Sequence, residues 1–212
     1  MQSVTLWGET LRLLVELAAT AAFALSGILE GARKRLDAVG VVVVGFLAAF
    51  GGGTLRDLLL DQRPFFWVRH VDLLWGVLAL GVLAMLFLRT RHFEVTERAM
   101  QWPDALGLGL FTATGVHQAL VLDMPDLVAV IMGIVTGVAG GVLRDVVCNQ
   151  IPSAFRDHRP YAVCAFAGGW VYVGLWSIAA PGWVALVACV GVTAGLRGLA
   201  LWRNWQLPPW RL

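Results

Sequence analysis

The strongest constraint on this chain is a motif of glycines followed by an arginine and an aspartate, which occurs twice inside long apolar stretches. The first copy is GGGTLRD at residues 51–57, and the second is GGVLRD at residues 140–145. A charged pair inside an apolar segment is costly unless protein or water surrounds it. The motif therefore predicts two enclosed polar sites in a chain suited to a membrane.

The two motifs belong to an internal repeat. A shift of 88 positions aligns residues 23–67 with residues 111–155 without a gap, and 11 of the 45 aligned pairs are identical. The identical pairs are Phe23/Phe111, Gly27/Gly115, Val42/Val130, Gly45/Gly133, Gly52/Gly140, Gly53/Gly141, Leu55/Leu143, Arg56/Arg144, Asp57/Asp145, Gln62/Gln150 and Pro64/Pro152. Self-similarity of this length in an apolar chain predicts a duplicated membrane fold.

Composition agrees with a membrane protein. Hydrophobic residues make up 58% of the 212 residues and charged residues 14%, which is too apolar for a soluble domain of this size. The net charge of +2 and the scattered basic residues give no support to a nucleic-acid partner. Three cysteines without metal-ligand spacing predict neither disulfides nor zinc. With no phosphate loop and no nucleophile beside a base, we expect neither a cofactor nor an enzyme.

Seven apolar runs are long enough to cross a bilayer, which takes roughly 20 helical residues. They cover residues 11–29, 38–60, 71–88, 105–122, 127–151, 161–180 and 183–202. Alternation with a period of two residues is absent, so the runs predict helices rather than a barrel. The predicted fold is an all-α membrane domain over residues 1–212, with repeat one at 11–89, repeat two at 103–180 and a seventh helix at 183–202.

The basic residues predict the orientation, because cytoplasmic loops hold an excess of lysine and arginine. One side receives eleven: Arg33, Lys34, Arg35, Arg89, Arg91, Arg98, Arg156, Arg159, Arg197, Arg203 and Arg211. The other side receives three: Arg12, Arg63 and Arg69. The N-terminus is therefore expected outside and the C-terminus in the cytoplasm. Three spans in each copy then force the second copy to be inverted relative to the first.

The glycines predict interruptions in spans two and five. Each glycine inside a helix costs roughly 1 kcal/mol relative to alanine, and interrupted helices line the pathway in inverted-repeat transporters. The expected kinks lie at Gly51, Gly52, Gly53, Gly140 and Gly141. Close helix packing is the alternative explanation, and it is the one we favour for Gly45 and Gly133.

The arginines predict ion pairs inside the membrane. Adjacent residues on a helix do not face each other, so we expect Arg56 and Arg144 to pair with groups other than Asp57 and Asp145. The alternative is that they extend to the membrane interface. In an inverted repeat Arg56 belongs to the outer half of the membrane and Arg144 to the inner half.

Other polar residues fall within the spans. Glu16 lies in the first, and His117 in the fourth is either a pore-lining group or, as we favour, an internally bonded histidine. Ser26 and Thr114 occupy equivalent positions and are expected to bond to a helix backbone.

The duplicated motif, the prolines that follow it and the layout of three plus three plus one helices resemble the trimeric intracellular cation channel (TRIC) family, in particular its prokaryotic members. The resemblance implies a homotrimer in the bacterial inner membrane, in contact with lipid. It also implies one pore per subunit, bordered by the kinked second and fifth helices and selective for monovalent cations, chiefly potassium. The expected partners are potassium or sodium ions, and the choice between these two ions is left open. The glycines named above would supply the kinks. The polar or gating positions would be Thr54, Arg56, Asp57, Arg144, Asp145 and His117.

The sequence departs from the animal members, which carry a Lys-Glu-Val segment on the fourth span that this chain lacks. Lipid or calcium regulation is therefore not implied. Two functions stay open. A channel could use Asp57 and Asp145 to replace part of a cation's hydration shell, whereas a secondary transporter could hold the carboxylate of a small solute such as glycine on Arg56 or Arg144.

The eleven-to-three distribution of basic residues generates a topological prediction. An alkaline phosphatase fused after Arg211 should be inactive and a fluorescent protein at the same site should fluoresce, because both report a cytoplasmic C-terminus. The reverse pair of signals would overturn the orientation.

Overall fold

The computed structural model describes residues 2–91, 96–156, 159–206 and 208, and in these residues the chain is helical with no strand. The helices are α1 (Gln2–Arg33), α2 (Ala38–Leu59), α3 (Phe66–Arg69), α4 (Val71–Arg91), α5 (Glu97–Val121), α6 (Asp126–Val147), α7 (Ser153–Arg156), α8 (Ala162–Ser177) and α9 (Gly182–Trp202). The seven predicted segments all fall on long helices, and α3 and α7 are single turns. Arg211, part of the charge count above, lies outside the described residues.

Four of the described helical segments are long and apolar enough to cross a bilayer: Leu13–Arg33, Ala38–Leu59, Asp126–Val147 and Gly182–Trp202. Val71–Leu86 and Ala162–Ser177 are apolar but shorter. The chain is thus an all-α protein with several membrane-spanning helices, while the count of seven spans stays a prediction. Helix α5 is the least apolar of the long helices because it begins eight residues before the predicted apolar run at 105–122. The hydroxyl of Thr96 caps its N-terminus by accepting from Ala99 N at 3.3 Å.

Within each repeat, the first two helices approach closely at glycines. A Cβ added at Gly27 on α1 would lie 2.9 Å from the Cα of Gly45 on α2, and one added at Gly115 on α5 would lie 2.9 Å from the Cα of Gly133 on α6. Small residues allow this approach of two backbones. The packing role predicted for Gly45 and Gly133 is confirmed.

The two repeats contact each other through equivalent residues. The rings of Phe23 and Phe111, which are 88 positions apart, stack with centroids 5.5 Å apart. Where α2 crosses α6, Gly52 lies directly against the carbonyl of Thr136, and Gly140 lies against the carbonyl of Ala48. Thr136 is itself 88 positions after Ala48. Reciprocal contacts of this kind are made by two similar units related by a two-fold rotation.

The expected interruption of the second and fifth spans is wrong. Helix α2 runs without a break through Gly51–Gly53, and α6 runs without a break through Gly140 and Gly141. No described glycine has a positive φ. The glycines of the motif therefore do not change the backbone conformation; the absence of a side chain allows the two helices to cross closely. A bend that keeps the helical hydrogen bonds at Gly51, Gly52, Gly53, Gly140 or Gly141 stays a prediction.

Helix α9 has no counterpart in the repeat and packs against α5 and α8. Backbone contacts at glycines position it: a Cβ at Gly109 would lie 3.0 Å from the carbonyl of Val190, and one at Gly168 would lie 2.9 Å from the carbonyl of Cys189. The ninth helix is therefore attached to the second repeat.

The crossing of α2 and α6 generates a stability prediction. Gly52→Ala and Gly140→Ala place a methyl group against a backbone carbonyl of the other helix, and such overpacking costs about 1–3 kcal/mol. Both variants should lower the thermal midpoint of the purified protein, read as loss of the folded peak in size-exclusion chromatography.

The matched controls are Gly76→Ala and Gly191→Ala, since an added Cβ meets nothing within 4 Å at either position. These controls should unfold at or above the parental temperature, because alanine favours helix. Equal midpoints for all four variants would show that the crossing does not depend on its glycines.

Candidate functional site

The first arginine cluster consists of Glu16 on α1 with Arg56 and Asp57 near the end of α2. Arg56 donates from Nε to Asp57 Oδ1 at 2.9 Å, its Nη2 lies 2.8 Å from the same oxygen, and its Nη1 lies 3.3 Å from Glu16 Oε1. Arg56 is 1% exposed and Glu16 2%. The guanidinium of Arg56 is therefore enclosed by protein and does not extend into solvent.

The second arginine cluster consists of Asp104 on α5, Arg144 and Asp145 on α6, and Tyr161 just before α8. Arg144 donates from Nε to Asp145 Oδ1 at 2.8 Å and from Nη1 to Asp104 Oδ1 at 2.5 Å. The other oxygen of Asp104 accepts from the hydroxyl of Tyr161 at 2.7 Å. Because Asp104 lies 88 positions after Glu16, the two clusters are equivalent in the repeat.

The aspartates of the motif also anchor the turn that follows each helix. Asp57 Oδ2 accepts from the backbone N–H of Phe66 at 2.8 Å, and Asp145 Oδ2 accepts from that of Ser153 at 2.8 Å. Phe66 and Ser153 are the first residues of α3 and α7. The N–H groups of the first turn of a helix have no acceptor within the helix. Each aspartate therefore connects its arginine to the next element of the chain.

The structure corrects the predicted pairing of the arginines. Arg56 and Arg144 pair with the neighbouring aspartates as well as with carboxylates of other helices, because the long side chain of arginine can fold back over its own helix. Adjacent residues on a helix differ in the direction of their Cα–Cβ bonds. This difference does not limit where the end of a long side chain can reach. Ser26 also differs from the prediction, since its Oγ accepts from Arg144 Nη1 at 2.6 Å. Thr114 bonds to its own helix at Phe111 O, as predicted.

Sequence reasoning missed Asp104 and Tyr161. The sequence did contain a signal for Asp104. When the alignment of the two repeats is extended from Phe23 and Phe111 by seven positions towards the N-terminus, Glu16 aligns with Asp104. The residues differ but both are carboxylates. Tyr161 had no such signal, since Leu73 occupies the equivalent position in the first repeat.

The glycines of the motif divide into two roles. Gly51, Gly52 and Gly140 lie at the crossing of α2 and α6. Gly53 and Gly141 lie beside the arginines: an added Cβ would be 3.9 Å from Arg56 Nη2 at one position and 3.6 Å from Arg144 Nη2 at the other. The second pair therefore leaves room for a guanidinium group that folds back over the preceding turn.

The two clusters lie at different depths along α1. Arg56 contacts Glu16 and Arg144 contacts Ser26 on that helix, and ten residues of helix span about 15 Å. In each cluster one guanidinium contacts two carboxylates. The structure thus places two buried charged sites about half a hydrocarbon thickness apart.

His117 and Thr54 make hydrogen bonds to other groups. His117 Nδ1 is 2.8 Å from the hydroxyl of Tyr172 on α8, and thirteen helical residues, about 20 Å, separate it from Asp104. The favoured internal bonding of His117 is confirmed. Thr54 donates to Phe50 O at 2.7 Å and accepts from Trp67 Nε1 at 3.1 Å. A pore role for either residue stays a prediction.

Across the described ranges, no group of three or more His, Cys, Asp or Glu side chains could hold a metal ion. The carboxylates of the two clusters pair with the arginines instead. Together, the fold and the clusters define a helical membrane protein that is built on a duplicated unit, with a buried arginine in each copy.

Comparison with known proteins gives the family. A family model described as "Glycine transporter" matches residues 13–89 and 101–177. A UPF0126 membrane protein of Vibrio cholerae is 34% identical over 212 residues, covering 100% of this chain and 88% of its own. The UPF0126 inner membrane protein YadS of Escherichia coli is 34% identical over 203 residues, covering 93% of this chain and 95% of its own.

Solved structures agree with these relatives. The TRIC trimeric intracellular cation channel orthologue from Rhodobacter sphaeroides superposes with a TM-score of 0.85 at 31% identity, covering 92% of this chain and 100% of that one. A prokaryotic TRIC channel crystallised in 0.5 M KCl superposes with a TM-score of 0.86 at 25% identity, covering 94% and 100%. The chain belongs to the family that joins the prokaryotic TRIC channels and the UPF0126 membrane proteins.

The difference between the clusters generates a prediction. Removing one partner of a buried ion pair costs about 3–5 kcal/mol. Asp104→Asn should lower the thermal midpoint more than Glu16→Gln does, because Asp104 is closer to its arginine and also accepts from Tyr161.

The control is Asp123→Asn, which neutralises an exposed carboxylate in a turn with a φ of 55°, a conformation that asparagine tolerates. It should leave the midpoint unchanged. If Asp104→Asn behaves like Asp123→Asn, the ion pair with Arg144 does not hold the helices together.

Proposed function

We propose that this protein is a homotrimeric cation channel of the bacterial inner membrane, with one potassium-conducting pathway in each subunit along α2 and α6. The observation that carries the proposal is the pair of buried clusters in which each arginine contacts two carboxylates. The similarity to solved TRIC cation channels supports the same conclusion.

The proposed topology has seven membrane helices, α1, α2, α4, α5, α6, α8 and α9, in an inverted repeat with the N-terminus outside. The reciprocal contacts of Phe23 with Phe111, and of Gly52 and Gly140 with the opposite helix, support a two-fold axis in the plane of the membrane. On this topology the first cluster lies in the outer half of the membrane and the second in the inner half.

The charges of the clusters suit a cation. An unpaired arginine would raise the barrier for potassium, whereas Arg56 and Arg144 each contact two carboxylates. Both oxygens of Asp57 and of Asp145 accept hydrogen bonds within the protein. We therefore infer that these carboxylates act on a permeating ion through their field rather than as direct ligands.

A secondary transporter of glycine is the second candidate. Two observations favour it: the description of the family model, and Arg144 Nη2, a buried donor for which the described residues supply no acceptor. A carboxylate could accept from this nitrogen beside Gly141. The channel is preferred because Asp104 and Asp145 already surround Arg144 and would repel an anionic group.

Planar-bilayer recording of the purified protein in asymmetric potassium chloride tests the proposal. We expect unitary current steps in three equal levels, one for each subunit, with a reversal potential close to that of potassium. Carrier turnover is far too slow to give resolved steps. Chloride-selective currents, or an absence of steps combined with uptake of radiolabelled glycine into proteoliposomes, would contradict the channel.

A matched pair of variants connects the current to the clusters. Folded Glu16→Gln should shift the reversal potential towards zero, since it removes one negative charge from the first cluster. Asp123→Asn removes an equal charge at an exposed turn and should leave the reversal potential as in the parent. Identical values for both variants would separate cation selectivity from the clusters.

A further inference from the structure

The last turn of α1 carries an ion pair that belongs to neither arginine cluster. Glu30 is 0% exposed, and both of its carboxylate oxygens accept from Arg33: Oε2 from Nε and Oε1 from Nη2, each at 2.8 Å. Arg33 is the last residue of the helix, and its side chain is 28% exposed. Arg33 is therefore the member of the pair that reaches the surface, whereas the carboxylate of Glu30 is buried behind it.

Glu30 lies on the face of α1 that contacts the second arginine cluster. Ser26 accepts from Arg144 Nη1 at 2.6 Å. Glu30 follows Ser26 by four residues, which places it on the same face of the helix about 6 Å farther along. The backbone of this turn packs closely against α2, because a Cβ at Gly31 would lie 3.1 Å from the Cα of Val41. Glu30 thus lies one helical turn from the second cluster, towards the end of α1.

The repeat itself does not require this ion pair. The shift of 88 that relates the two repeats places Gln118 at the position of Glu30 and Val121 at the position of Arg33. A carboxylate near the C-terminus of a helix is disfavoured by the helix dipole, and burying its charge is costly. An equivalent helix therefore forms in the second repeat without the pair, and helix formation does not explain the buried carboxylate.

We propose that Glu30 is a cation-binding carboxylate at the inner end of the pathway, and that Arg33 masks it. While the guanidinium is bonded to both oxygens, it occupies the place of a cation and closes this end. When the side chain of Arg33 changes rotamer and turns outward, Glu30 presents its carboxylate to a potassium ion that enters or leaves. This inference rests on the proposed cation channel and on its topology, in which the end of α1 faces the cytoplasm.

A purely structural ion pair leads to a different expectation. Pairs at this spacing on a helix contribute little to stability. Their loss lowers the unfolding temperature slightly and leaves the current of a folded channel unchanged. The proposed mask predicts instead that removing the guanidinium of Arg33 raises the current, and that it does so only while Glu30 keeps its charge.

The unitary potassium conductance of the purified protein in planar bilayers tests the mask. We expect Arg33→Gln to raise this conductance about two-fold in about 10 mM potassium chloride, where screening is weak, because an unmasked carboxylate concentrates cations at the mouth. The gain should disappear in about 1 M salt, where charges act over only about 3 Å. Parental conductance of Arg33→Gln at low salt would overturn the proposal.

Lys34→Gln is the matched control. It removes the same charge from the next residue, which is exposed and lies outside the ion pair, so the conductance should stay near the parental value. An equal gain in Lys34→Gln and Arg33→Gln would assign the effect to the general charge of the surface and reject the mask.

A double variant tests the dependence on Glu30. Glu30→Gln combined with Arg33→Gln should lose the gain and conduct like the parent, because no carboxylate is left to unmask. If the double variant keeps the gain, Glu30 is not the binding group and the proposal is wrong. Glutamine is compatible with this position, since Gln118 occupies it in the second repeat. Should the double variant still fail to fold, the comparison of Arg33→Gln with Lys34→Gln decides.

The outcomes distinguish this inference from the proposed function. A parent protein without unitary cation currents defeats the proposed function itself. A parent that conducts cations, with the same conductance in Arg33→Gln and Lys34→Gln at low salt, defeats only the mask.

Discussion

The structure depends on keeping two guanidinium groups inside a helical membrane protein. Each carries a charge that lipid cannot solvate, and each is held by the aspartate beside it and by a carboxylate from the preceding helix: Glu16 for Arg56, and Asp104 for Arg144. The carboxylate from the preceding helix can contact the arginine only if the first and second helices of each repeat pack side by side. Pairs of glycines at their contacts allow that approach.

The crossing of α2 and α6 joins the two repeats around these ion pairs. Gly52 and Gly140 each admit a carbonyl of the opposite helix, and the arginines follow one helical turn later on both helices. The glycines next to the arginines make room for the guanidinium groups to fold back onto their aspartates. The parts of the motif therefore have separate roles. The first glycines allow the two helices to cross, and the glycine after them makes space for the arginine. The aspartate balances the charge of the arginine and accepts a hydrogen bond from the turn that follows the helix.

Much of this arrangement could be predicted from the sequence. The shift of 88 residues indicated the repeat, hydropathy indicated the long helices, and the charges of Arg56 and Arg144 marked the site. The continuity of α2 and α6 could not be predicted, because a run of glycines is compatible both with a broken helix and with a close crossing. Tyr161 could not be predicted as a partner either, because the equivalent position in the first repeat is a leucine, Leu73.

The central claim is that arginine–carboxylate pairs between neighbouring helices hold the helices of each repeat together. A double-mutant cycle on Arg144 and Asp104, with Arg144→Gln, Asp104→Asn and both together, tests it most directly through thermal unfolding of the purified protein. The account predicts a coupling energy of about 1–3 kcal/mol, so that the double variant is less destabilised than the two single changes combined. Strict additivity would contradict it, because the two side chains would then contribute independently.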